Sequence, residues 1–216
     1  MKSYKQFINE SKNSIESICD KYGIKNYTIN SDGSIDVDGD VNLNYNNLTK
    51  IPLRFRNVGG DFYCQFNELT TLEYCPQSVE GNFYCSYNKL TSLQGCPRKV
   101  VGNFSCSDNQ IVSLEGISES SIGINFYCNS NKITDFKGVS EFFEGDLICQ
   151  GNPIYEIHCL FNHTRQSSIH SSYIKWINEY DVIQGNKIIM DRLEEVYHQF
   201  NIEIPKNITF RNYEII

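Results

Sequence analysis

The chain has 216 residues, 40% of them hydrophobic, with a formal net charge of −7 and a pI near 5.1. That length can bury one sizeable core. The acidic balance argues against non-specific nucleic-acid binding, which needs clustered Lys and Arg, and no apolar run approaches the roughly 18 residues of a membrane span.

The first ten residues, MKSYKQFINE, lack the apolar centre of a secretory signal. Reduced thiols and a cytosolic setting are therefore expected. The stretch resembles the capsid-targeting leader of T-even-type phage internal head proteins. In that family the leader directs a protein into the assembling prohead. The phage maturation protease then cuts after a glutamate preceded by a small spacer and an apolar residue. Ile8-Asn9-Glu10 matches that pattern. The resemblance implies cleavage between Glu10 and Ser11, a removable leader over 1–10, and a location in the virion head or the host cytoplasm. The residues alone also fit the first turn of a capping helix, with Tyr4, Phe7 and Ile8 packed down.

Residues 11–36 read as an N-terminal cap. A helix is expected from Ser11 to Tyr22, because Ile15, Ile18, Cys19 and Tyr22 share one face. YTINSDGSIDVDG then reads as a hairpin turning at Ser31-Asp32-Gly33. Its acidic residues do not make a calcium loop, since position six from Asp32 is Val37 and from Asp36 is Val41, where glycine is needed.

From 37 to 158 the chain repeats itself. Asn46, Asn67, Asn88, Asn109, Asn131 and Asn152 recur every 21 or 22 residues. Five places before them stand Val41, Phe62, Phe83, Phe104, Phe126 and Leu147; three before, Leu43, Cys64, Cys85, Cys106, Cys128 and Cys149. Two after come Leu48, Leu69, Leu90, Ile111, Ile133 and Ile154; five after, Ile51, Leu72, Leu93, Leu114, Phe136 and Ile157. The pattern L-x-L-x-x-N-x-L-x-x-L resembles the leucine-rich repeat family, and in detail its short bacterial and phage subtype. The resemblance implies an α/β solenoid of about six coils, with short parallel strands stacked roughly 4.8 Å apart. Equivalent side chains then form columns, and the asparagines lie where each strand turns. Gly39, Gly60, Gly81 and Gly102 imply a tight turn or close backbone approach. The return stretches are too short for helices and should be extended or 3₁₀.

The nine cysteines follow this period and contain no C-x-x-C pair, so they read as neither a disulfide framework nor a zinc site. Cysteine is a small buried hydrophobe, and the column Cys64, Cys85, Cys106, Cys128, Cys149 reads as packing. Cys75 and Cys96 read the same way on the return stretch.

Residues beside the column point outward, onto the concave strand face. Tyr63, Tyr84 and Tyr127 fall on one row; Tyr45, Phe66 and Tyr87 on another, just before the asparagines. A row of Asn44, Gln65, Ser86, Ser107, Asn129 and Gln150 runs between them. These six aromatics are the candidate partner-binding residues, and the mix suits a protein partner, from host or virion. The same rings could instead stabilise the sheet by stacking.

Residues 159–216 read as a C-terminal helical cap, with helices from Ser168 to Tyr180 and from Lys187 to Phe200, and a docked apolar tail. No catalytic motif, metal ligand set or cofactor loop is visible, so a non-enzymatic binding protein is expected. Two alternatives stand: a bacterial cytoplasmic or effector repeat protein, and an enzyme using His158, His163, His170 and His198 in the C-terminal region.

Overall fold

The computed structural model describes residues 4–139, 145–161 and 172–216, with side chains from Lys12 onward. Helix α1 spans Tyr4–Tyr22. It buries Ile15 and Cys19 against the core, with Ile18 and Tyr22 beside them. Gly23 ends it at φ 65°: the Ile24 N–H reaches back to the Cys19 carbonyl at 2.9 Å, the left-handed stop that glycine makes easily. The helix starts seven residues before the expected Ser11, so the Glu10–Ser11 bond lies inside it. Strands β1 (Tyr27–Ile29) and β2 (Ile35–Val37) form the expected antiparallel hairpin.

Strands then alternate between two sheets: β3 (Val41–Asn42), β4 (Phe55–Val58), β5 (Phe62–Tyr63), β6 (Ser78–Val79), β7 (Phe83–Tyr84), β8 (Lys99–Val100), β9 (Phe104–Ser105), β10 (Ser121–Ile122), β11 (Phe126–Tyr127) and β12 (Leu147–Ile148). One sheet, here the cysteine sheet, runs β3-β5-β7-β9-β11-β12, all parallel. The other, the return sheet, runs β1-β2-β4-β6-β8-β10. The chain is thus a parallel β-solenoid of the leucine-rich-repeat type, with about five turns at a spacing near 21 residues and helical caps. The return stretches are extended and pair into a sheet of their own. The one 3₁₀ turn among the described residues is Glu115–Ile117, in the coil with the extra residue.

The expected columns form the core. Val41, Phe62, Phe83, Phe104, Phe126 and Leu147 lie in register. The four phenylalanines are at most 1% exposed and contact one another, stacked at 5.6 Å for Phe62–Phe83 and edge-on at 5.0 Å for Phe83–Phe104. Each such ring contributes about 2–3 kcal/mol by burial. Val58, Val79, Val100 and Ile122 close the core from the return sheet.

The asparagine column ties coil to coil. The Asn88 amide donates to the carbonyls of Cys64 (2.9 Å) and Cys85 (3.0 Å), while its Oδ1 accepts the Leu69 N–H at 3.0 Å. Asn67, Asn109, Asn131 and Asn152 repeat the pattern. A turn leaves backbone groups unpaired inside the core; the buried amide satisfies them.

At the far end α2 (Tyr155–Phe161) and α3 (Ser172–Glu179) precede β13 (Ile183–Gln184), β14 (Lys187–Ile188), α4 (Met190–Gln199) and β15 (Glu214–Ile215). The expected helix from Lys187 is corrected: Lys187 and Ile188 are a strand, and the helix begins at Met190. Asn186 makes the tight β13–β14 turn with Gly185, at φ 62°, which favours strand pairing there. Residues 168–171 of the other expected helix lie outside the described residues. The cap is therefore helices plus a three-stranded sheet, because the tail returns as β15 alongside β14. Tyr213 is buried and donates to the Thr134 carbonyl at 2.6 Å.

Candidate partner-binding face

Each coil leaves its strand through one residue of left-handed backbone, just before the asparagine. The φ angles are 59° at Tyr45, 55° at Phe66, 57° at Tyr87, 55° at Asp108, 51° at Ser130 and 76° at Gly151. This twist turns the next side chain inward, which is why the asparagine can reach the core carbonyls. Glycine, and to a lesser degree Asp or Asn, suit such a position; large aromatics do not. The last coil has glycine and the fourth has aspartate. The first three have Tyr, Phe and Tyr.

Those three rings form a ladder. Tyr45 and Phe66 stack at 4.5 Å with planes 5° apart, and Phe66 and Tyr87 at 4.5 Å with planes 9° apart. They are 69%, 38% and 49% exposed, all three counted with the exposed large apolar side chains of the described residues. Beyond Tyr87 the column continues with polar Asp108 and Ser130, so the ladder stops at the third coil. Glu68 and Lys89, one residue past the asparagines, form an ion pair beside it.

The other row is separate. Tyr63 and Tyr84 stack at 5.4 Å, half-buried. The Tyr63 hydroxyl donates to Asp61 Oδ2 at 2.6 Å, and this bond, with burial, pushes the phenol up to about 12. Tyr127 lies beyond Ser105, and its hydroxyl accepts from Asn125 Nδ2 at 3.3 Å. Among the described residues no ring contact joins the Tyr63 row to the Phe66 row. The six expected residues thus fall into a three-ring ladder, a tyrosine pair and a lone Tyr127.

The structure adds a column that sequence reasoning passed over. Asp40, Asp61, Asn82, Asn103, Asn125 and Asp146 stand six places before each asparagine. Their Oδ1 atoms accept the backbone N–H of the next member, at 2.8 Å for Asp61, 2.6 Å for Asn82 and 2.8 Å for Asn103. Burial raises the Asp61 carboxyl, but the Asn82 N–H, the Tyr63 hydroxyl and the Asn82 amide together hold it below its ordinary value. This column also explains a glycine. A Cβ on Gly81 would sit 2.2 Å from Asp61 Oδ1 and 2.8 Å from the Gly60 backbone. The signal was present in the sequence: an Asp or Asn at the same offset in all six coils.

The column cysteines are all at most 1% exposed. Burial pushes the thiols of Cys85, Cys106 and Cys128 well up, and that of Cys149 to about 12.

In the C-terminal region His158 is buried, and its Nδ1 is hydrogen-bonded to the Tyr173 hydroxyl. His198 is exposed near the end of α4. His163 and His170 lie outside the described residues. Among the described residues no three His, Cys, Asp or Glu side chains are grouped to hold a metal, and no helix is long and apolar enough to cross a membrane. Glu10 and Ser11 fall within α1, where only the backbone is described.

Comparison with protein-family models, curated proteins and solved structures finds no match to this chain.

Proposed function

We propose that the protein is a non-enzymatic binding module that captures a protein partner on the cysteine-sheet face of its first three coils. Tyr45, Phe66 and Tyr87 make the main contacts, flanked by Tyr63 and Tyr84, with Tyr127 further along the same face. The observation that carries this reading is the backbone beneath the ladder. A large residue in left-handed conformation costs about 1–2 kcal/mol, and three do so here. Each of the two stacking contacts returns only about 0.5–1.5 kcal/mol. Stacking therefore does not offset the strain by itself. Strain held at an exposed position is a sign of use.

The ladder's geometry supports the partner class. Phe66 has a ring on each face, so along its length the ladder offers ring edges and two tyrosine hydroxyls. Asn44 and Gln65 run beside it with amides; Ser86, the next residue of that row, is buried with its hydroxyl bonded to Ser105. Peptide groups and side chains match that mixture.

The leader resemblance extends the reading. The protein is of phage origin, enters the head, is trimmed after Glu10 by the maturation protease, and meets a virion or host protein. Mass spectrometry of purified virions should find chains beginning at Ser11. Intact Met1 chains alone, or no chain, would remove the packaging part and leave the binding part standing. The binding part is tested by capture with the parent protein against Phe66→Asn/Tyr87→Asn. Asparagine suits the left-handed backbone, so the variant removes the rings and keeps the turn. Undiminished capture would overturn it.

A further inference from the structure

The fourth coil interrupts both aromatic rows at once. In the row of Tyr63, Tyr84 and Tyr127 it carries Ser105, and in the row of Tyr45, Phe66 and Tyr87 it carries Asp108. The strands keep register across the gap: Tyr84 pairs with Ser105, and Ser105 with Tyr127. Tyr84 and Tyr127 therefore stand two strand spacings apart, about 9.6 Å, on either side of a serine.

The gap has the form of a missing rung. Tyr84 stacks on Tyr63 by one face, at 5.4 Å, which leaves its other face toward the fourth coil. The Tyr63 and Tyr127 hydroxyls each bond the residue two places earlier, Asp61 and Asn125, so the row leans one way throughout. Tyr127 is near enough that its charge, after burial and Asp61, helps push the Tyr84 phenol up. A flat group midway would lie about 4.8 Å from each ring, inside the roughly 6 Å reach of a cation over an aromatic face.

The surroundings say which flat group. Asn129, two residues on from Tyr127 and on the same face, has a buried Oδ1 with no hydrogen-bond partner among the described residues; such an acceptor needs a donor. The Asp108 carboxylate is likewise without an ion pair or hydrogen bond among the described residues. Lys89 and Lys132 lie one coil to either side, but Lys89 is paired with Glu68 and no ion pair links either to Asp108. Over this face Asp61, Glu68, Asp108 and Asp146 outnumber the two lysines. A guanidinium is flat, always charged, rich in N–H donors in its own plane, and stacks on aromatic faces. An aromatic side chain would stack but leave the acceptor and the charge unmet. An ammonium would meet the charge but not fill a flat slot.

We propose that the fourth coil is an arginine site. The guanidinium of a partner protein's arginine enters between Tyr84 and Tyr127 above Ser105, turns N–H groups to Asn129 Oδ1 and Ser105 Oγ, and lies in the field of Asp108. This names a side chain of the partner and so rests on the capture reading, but the slot can be tested without that partner.

The test is titration of the full chain with N-acetyl-arginine methylamide, followed by the backbone amide NMR signals of Ser105 and Tyr127. Saturable binding in the millimolar range is expected. The lysine and citrulline counterparts, one without the flat face and the other without the charge, should bind at least about fivefold more weakly. Ser105→Tyr supplies the missing ring and should abolish binding. Asp108→Asn, which suits the left-handed turn at φ 55°, should weaken it about threefold or more. Phe66→Asn/Tyr87→Asn, outside the slot, should bind the probe as the parent does. Circular dichroism checks each fold; if Ser105→Tyr does not fold, Asp108→Asn and the lysine comparison decide. No saturable shift up to about 50 mM overturns the proposal. So does equal binding of the lysine probe, a folded Ser105→Tyr that binds normally, or tighter binding of N-acetyl-tryptophan amide, which would assign the gap to an aromatic side chain. Specific arginine binding beside a partner capture indifferent to Phe66→Asn/Tyr87→Asn would count for the slot and against the ring-ladder contact.

Discussion

Phe66 lies between Tyr45 and Tyr87 with both neighbouring centroids at 4.5 Å, while its own backbone sits at φ 55°. Favourable stacking and unfavourable backbone thus meet in one residue, and substitution can separate them. Phe66→Asn with Tyr87→Asn removes the stacking and relieves the strain together. The net change in stability should stay within about 1 kcal/mol, or roughly 2–4 °C in Tm for a chain of this size. Partner capture should fall about thirtyfold or more, the loss of a hot-spot ring. A Tm lowered by more than about 10 °C, with capture following the folded fraction, would make the ladder a sheet support.

The thiol column should be inert in the native state. Cys64, Cys85, Cys106, Cys128 and Cys149 are buried, and a thiolate is the reacting species. A maleimide or disulfide reagent should label them slowly in buffer and fully in denaturant. Cys85→Ser should destabilise by about 1–3 kcal/mol, since it buries a hydroxyl among apolar neighbours. Fast native labelling of the column would contradict its packing role.

Buried thiols with a raised pKa set an alkaline limit. Burial raises the pKa of the Cys75, Cys85, Cys106, Cys128 and Cys149 thiols and so holds them protonated. In the unfolded chain a thiol ionises near 8.5. Above that pH the unfolded state binds fewer protons than the native state, so stability falls as pH rises. It is complete below about 8.5 and is lost as the pH climbs toward each native value, about 12 for Cys149. Each thiol removes up to about 1.4 kcal/mol per pH unit, and several together match the roughly 5–15 kcal/mol of a typical domain. Circular dichroism should show unfolding between about pH 9.5 and 10.5, shifted upward in Cys106→Ala relative to the stability lost at neutral pH. A native spectrum at pH 11 would count against it.

The asparagine column should be far less tolerant than the rings. The Asn109 amide donates to the carbonyls of Cys85, Cys106 and Ser107, and its Oδ1 accepts the Leu90 N–H at 3.0 Å. Asn109→Ala strands those buried groups and should cost about 2–4 kcal/mol. Urea unfolding measures it. A loss below about 1 kcal/mol would mean that water or a backbone shift satisfies them.

The columns were legible because a stack of equal coils forces one residue type per slot. Phe62, Phe83, Phe104 and Phe126 announce the core by spacing alone, and so do the cysteines. Three things were not legible. The left-handed backbone at Tyr45, Phe66 and Tyr87 was hidden, because those residue types argue against it; only Gly151 and Asp108 in the same slot hint at it. The two rows were legible, but not that their rings stay out of contact; the Tyr63 hydroxyl turns back to Asp61, a side-chain choice that periodicity does not report. At the C-terminus, outside the repeat, amphipathic spacing found Leu193, Val196 and Tyr197 but could not show that Lys187 and Ile188 pair with a tail some 27 residues later.

The asparagine bonds reach from one coil only to the next, spanning 24 or 25 residues at most. Among the described residues no asparagine of the column bonds beyond a neighbouring coil. Pulled from an end, such a molecule would not break as a whole. Once a cap is released, each coil of 21 residues would come away in turn, paying out about 70 Å of chain. The bonds lost at each step would be much the same as at the step before. The end that resists is the one where Tyr213 is fastened to Thr134 and the Asn178 amide to Phe136. A stretched molecule would therefore give an even staircase of extension, with its tallest step at the C-terminal cap.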